Sequence, residues 1–194
     1  MNKTWRNLLL LVIILAIAGA YYYFYMPAQK PDFSQDYATL RDSWKASGVE
    51  LENLHSNVDK ITALSESKIT SLKASLEEYK KSAAIDETKD LIDVYVPLLD
   101  VSLTLKQIDE KMEAADNEAL PFCEKVDTYK EIINLKKSLI EQTQKCLDEV
   151  NAFVDKYPDK ADSIEMYWGE NILEEDEYSL EEEENTLNLM AETC

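Results

Sequence analysis

Glycine and proline are scarce in this chain, at 3 and 5 residues of 194. Turn-rich β sandwiches, barrels and glycine-looped nucleotide folds all need more of both. Histidine occurs once, which leaves no material for a His-based catalytic pair or a multi-His metal centre within one chain. Positive charge is also short. Twenty basic residues face 39 acidic ones, a net charge of −19. Phosphate-backbone binding draws on Lys and Arg to displace counterions, so nucleic acid is excluded as the expected partner. No redox C-x-x-C, nucleophile elbow or Ser/His/Asp arrangement is visible, and no enzyme is expected.

One uncharged hydrophobic run is present. Residues 8–26 carry no charged side chain. At about 1.5 Å per residue they span roughly the hydrocarbon thickness of a bilayer. Lys3 and Arg6 precede the run, and no acid appears before Asp32. The positive-inside tendency puts residues 1–7 in the cytoplasm and the rest of the chain outside the cell membrane, as a single-pass protein. Trp5 marks one interface; Tyr21, Tyr22, Tyr23, Phe24 and Tyr25 mark the other. The competing reading is a leader cleaved after Ala20, at Ala18-Gly19-Ala20. It would leave five exposed aromatics at the new N-terminus, and the retained anchor is the expectation.

After a linker at 27–32, residues 33–157 read as all-α. Phe33, Tyr37, Leu40, Trp44, Ser47, Leu51, Leu54, Val58, Ile61 and Ser65 alternate steps of four and three, a heptad register. A stutter at 65–69 precedes Ile69, Leu72, Leu76 and Tyr79. Gly48 interrupts the pattern in composition but not in register. Either it caps a helix or one long helix passes through it, and the unshifted register favours the long helix. A second helix from Asp86 carries Leu91, Tyr95, Leu98, Leu105, Ile108 and Met112, with a kink expected at Pro97. A third follows Pro121 and ends at Tyr157-Pro158. Short connections imply antiparallel neighbours. The expected fold is therefore a transmembrane helix followed by an antiparallel three-helix bundle, its first helix overhanging toward the membrane as a coiled-coil stalk.

Residues 158–194 form an acidic tail. From 159 onward there are thirteen acids and one base, and EEDEYSLEEEE at 174–184 has eight acids in eleven positions. Self-repulsion predicts a partly disordered segment or a solvated, weakly helical one, with Leu187, Leu189 and Met190 as a small amphipathic end, that attracts divalent cations only weakly.

Three further sites follow from spacing. Glu52 and His55 have an E-x-x-H separation, but no second histidine completes a metal site, and a surface pair is expected. Cys123 and Cys146 lie too far apart along one helix to be bridged. A tail folded back from Pro158 would bring Cys194 level with Cys123, which makes Cys123–Cys194 the candidate disulfide and leaves Cys146 a buried thiol. Lastly, Phe33, Tyr37, Leu40, Trp44, Leu51, Leu54, Val58 and Ile61 would form an uncovered apolar seam. That seam predicts a homo-oligomer or a protein partner, with folding back across Gly48 as the other way to cover it. The expected function is a membrane-anchored extracytoplasmic scaffold or interaction protein without cofactor or catalysis. The alternative is an extracytoplasmic ligand-sensing bundle acting through a membrane partner, with a small cavity near Tyr95 and Pro97.

Overall fold

A computed structural model describes residues 32–51, 54–163 and 172–194. Among the described residues every regular element is helical. The first helix, α1, is Phe33–Ala46, followed by α2 at Leu54–Thr62 and α3 at Glu66–Ser82. The two longest helices are α4, Asp86–Ala115, and α5, Phe122–Lys156. A short α6, Pro158–Ser163, leads toward α7 at Ile172–Ala191. No helix among the described residues is long and apolar enough to cross a membrane. The expected anchor at 8–26 and its interface aromatics Trp5, Tyr21, Tyr22, Tyr23, Phe24 and Tyr25 lie outside the described residues.

The single long helix expected through Gly48 does not form. Asp32 caps α1 by accepting a hydrogen bond from the Ser34 amide. The helix ends at Ala46 in a Schellman turn. Gly48 takes φ +90°, its amide donates to the Lys45 carbonyl at 3.0 Å, and the Val49 amide donates to the Trp44 carbonyl at 3.1 Å. Trp44 and Val49 are both fully buried, which supplies the apolar contact that accompanies this turn. The stutter is a second break. Leu64 donates back to Ile61, and Ser65 adopts an extended conformation before α3 starts.

Ion pairs and hydrogen bonds set the register of the longer helices. Lys73 meets Asp100 at 2.6 Å, Lys80 meets Asp93, and Gln107 donates to Glu66. In all three contacts the two residue numbers have the same sum, as an antiparallel α3–α4 pair requires. Thr104 with Gln142, Lys111 with Glu131, and Lys156 with Asp90 fix α4 against α5 in the same sense. Lys136 with Glu183, together with the Cys123–Cys194 bond, does so for α5 and α7. The result is an up-down-up-down series of α3, α4, α5 and α7, with α1 and α2 laid over one half of it.

The core is correspondingly lopsided. The main cluster joins α1 to α5 around Trp44, Ile61, Ile69, Leu91, Leu98, Leu99 and Phe153. Two smaller clusters occupy the other half. One is Val126, Ile133, Leu180 and Leu187 between α5 and α7; the other is Ile108, Ala115 and Ile132 between α4 and α5. Proline 97 is buried within α4, which continues on both sides of it.

One expectation is corrected here. The seam is not an open stripe. Phe33, Leu40, Trp44, Val58 and Ile61 are 9% exposed or less, and Tyr37 and Leu51 pack against the same cluster. The break at Gly48 is what permits this, because it lets α1 fold back onto the bundle instead of projecting from it. The side chain of Leu54 lies outside the described set. For the acidic tail, Ile172–Ala191 takes the helical alternative, with its C-terminal half docked on α5.

Candidate functional site

The docking of α1 builds a small polar cluster at one end of the bundle. The Asp36 carboxylate accepts a hydrogen bond from the Thr88 hydroxyl at 2.8 Å. Burial raises the Tyr79 phenol above its ordinary range, and the charge of Asp36 and a hydrogen bond to it push the same way. One carboxylate thus ties α1 to both α3 and α4. Nearby, the Tyr95 phenol is held well above its usual range by burial, with Tyr37 as its hydrogen-bonding neighbour. The Trp44 ring lies 5.4 Å from the Tyr95 ring. The Trp44 Nε1 is buried without a hydrogen-bond partner.

The opposite end carries an open cleft of about 500 Å³ between α5, α7 and the last turns of α4. From α5 come Tyr129, Ile132, Ile133 and Lys136, which share one helix face by their spacing. Leu187 and Met190 of α7 form the facing wall, and Met112 of α4 closes one side. The floor is apolar. Lys136 and Glu183 pair at 2.6 Å across the rim, with Glu182 beside them. The exposed large hydrophobics at this end are Met112, Phe122 and Leu189, which are 45%, 49% and 68% exposed. A volume of this size with a few polar groups at its edge is that of a binding cleft.

Cys123 and Cys194 are joined as a disulfide at the same end, with Cα atoms 5.5 Å apart. The bond links the first turn of α5 to the residues just after α7, and so fastens one wall of the cleft to the other. Cys146 is free and buried. Burial pushes its thiol up to about 12, with Glu149 adding to the shift, so it does not serve as a thiolate nucleophile at neutral pH. Its Sγ rests 3.9 Å from the Val94 carbonyl as a packing group.

Among the described residues no cluster of three His, Cys, Asp or Glu side chains could hold a metal ion. Glu52 and the side chain of His55 lie outside that set. In the acidic tail, Glu183 and Glu184 are engaged by lysines of α5.

Apolar spacing places Met112 on the buried face of its helix but does not bring that face together with those of α5 and α7. The available signal was the Lys136-Lys137 pair on α5. It is complementary to the glutamate run 181–184 once α7 is laid antiparallel. No protein-family model matches the chain, and no curated protein or solved structure matches it.

Proposed function

We propose that the chain is a membrane-tethered interaction protein. The uncharged run at 8–26 holds it in the cell membrane, residues 1–7 face the cytoplasm, and the helical bundle stands outside. There it works by contact with another protein and not by chemistry. The observation that carries this reading is the Cys123–Cys194 pair, which closes a loop of 71 residues. Such a bond persists in oxidising compartments and is rare in the cytosol. Independently of the disulfide, the charges flanking residues 8–26 assign the bundle to the same side of the membrane.

The role assigned to the seam changes with the fold. Its apolar residues stabilise the molecule itself, so a partner is sought at the far tip, where apolar side chains are exposed.

Protease added to intact, membrane-bound protein provides the test. The expected result is digestion of the bundle with an N-terminal tag on the cytoplasmic side left protected, and retention of the undigested chain in membranes through alkaline extraction. Recovery of full-length protein from the soluble fraction, or protection of the bundle, overturns the proposal.

A further inference from the structure

We infer that the cleft at the tip of α4, α5 and α7 is the docking site for a basic amphipathic helix of a protein partner. The inference deepens the interaction role proposed above and rests on it for the side of the membrane on which the partner is met.

Three observations meet at one place. The first is shape. The cleft lies between two antiparallel helices, with Tyr129, Ile132 and Ile133 on one side and Leu187 on the other. That form receives the apolar face of a helix, whose anchors recur every three or four residues. The second is side-chain type. Met112 and Met190 form the lips of the cleft, and Met112 is 45% exposed. Methionine is flexible and polarisable, and suits a surface that must mould itself to an incoming apolar side chain. Phe122 and Leu189 extend the exposed apolar surface near the same end. By contrast, the α1 end buries Phe33, Leu40 and Trp44 in the core.

The third observation is charge, and it selects the occupant. The lysine of the rim, Lys136, is already paired with Glu183, and Lys137 with Glu184. Glu181 and Glu182 on the same helix stand exposed. The whole chain carries −19. An anionic amphiphile or a second copy of this acidic chain would enter against that field, whereas a basic helix is steered into it. Its apolar side chains would fill the cleft between the methionines, and its lysines or arginines would lie over Glu181 and Glu182.

The test uses the full chain in nanodiscs of zwitterionic lipid, with empty discs as the blank. The probes are a Leu/Lys amphipathic helical peptide of about 18 residues and a Leu/Glu peptide of equal length. The Leu/Lys peptide is expected to bind and to shift the methyl resonances of Met112 and Met190, while the Leu/Glu peptide does not. Met112→Glu should weaken binding about tenfold although it adds negative charge, because it removes an apolar contact at the cleft lip. Met190→Glu, on the facing side of the cleft, is a second such variant should Met112→Glu disturb the fold. The double change Glu181→Lys with Glu182→Lys should weaken binding several-fold and flatten its salt dependence.

Binding equal to wild type by folded Met112→Glu and Met190→Glu overturns the inference, since the attraction is then charge alone. Equal binding of the two peptides overturns it as well. So does sedimentation that reveals a wild-type dimer broken by Met112→Glu, which assigns the cleft to a second copy. None of these outcomes alters membrane retention or protease accessibility, so failure here is distinct from failure of the tether.

Discussion

Replacing Gly48 by alanine separates the folded-back architecture from a continuous helix by the sign of the effect. In the structure Gly48 has φ +90°, and a Cβ built on it meets no heavy atom within 4 Å. Space is therefore free, and the whole cost lies in the backbone. An L-residue held in the left-handed region loses about 1–2 kcal/mol. Alanine also narrows the unfolded ensemble, but that gain of about 0.4–1 kcal/mol counts only where the native φ suits the new residue. The expected net effect is a destabilisation of about 1 kcal/mol. A helix running straight through position 48 predicts the reverse, a gain of about 1 kcal/mol, because alanine is the better helix former. With a urea m-value of about 2 kcal/mol/M the two cases move the unfolding midpoint by about 0.5 M in opposite directions. Gly48→Asn should be milder than Gly48→Ala, since asparagine tolerates this conformation. The assay is urea unfolding of the full chain followed by its helical signal. A higher midpoint for the alanine variant refutes the Schellman turn, and with it the burial of Trp44 by folding back.

Trp44→Ala removes a fully buried ring and should cost about 3–5 kcal/mol in urea unfolding. Trp44→Phe should cost clearly less, because it keeps most of the ring volume and leaves no buried donor without a partner; a loss equal to that of Trp44→Ala would contradict this. Reducing Cys123–Cys194 opens a loop of 71 residues, which chain entropy values at about 4 kcal/mol. Hydrogen exchange at residues 180–191 should then accelerate by two to three orders of magnitude, roughly the same energy, while α4 stays protected; an unchanged rate in α7 contradicts the tether. Stability should be flat near neutral pH and fall in alkali. The folded Cys146 thiol is raised from 9.0 to about 12 and the Tyr95 phenol well above 10.0, so both lose protons more readily when unfolded. Their contribution is complete below the unfolded values and declines as pH rises, by about 1.4 kcal/mol per pH unit for each group. Cys146→Ala should remove the first part of that slope, and a flat profile into strong alkali would contradict both.

Local chemistry made much of the fold legible. Apolar spacing placed α4 and α5 nearly to their ends, because each is long enough for its buried face to repeat many times. The breaks were harder. Gly48 followed by Val49 is the written form of a Schellman turn, yet the heptad register continues across it. A register records which residues are apolar, and both a coiled-coil seam and a folded-back helix need the same ones. What separates the two is the energy of an uncovered stripe, and α4 and α5 supply the cover: Trp44 packs on Tyr95, and Phe33 on Phe153. The Asp36 bridge to Thr88 and Tyr79 spans α1, α3 and α4 and has no local signature at all.

The docking of the acidic tail is hard to read in sequence because its self-repulsion is visible there and the charges it meets are not. Four consecutive glutamates, 181–184, oppose helix formation in isolation. On the bundle, two of them reach Lys136 and Lys137, and Leu180 and Leu187 are buried one on each side of the run. Each ion pair is partly exposed and worth little, about 0–1 kcal/mol. Two buried leucines contribute about 1.5–3 kcal/mol each. Both terms are small beside the conformational entropy of ordering a helix of 20 residues, about 1–2 kcal/mol for each residue, so the covalent link between Cys123 and Cys194 matters to α7. The physical consequence is a cleft whose floor belongs to a firmly packed helix and whose facing wall is held on by a bond at its far end.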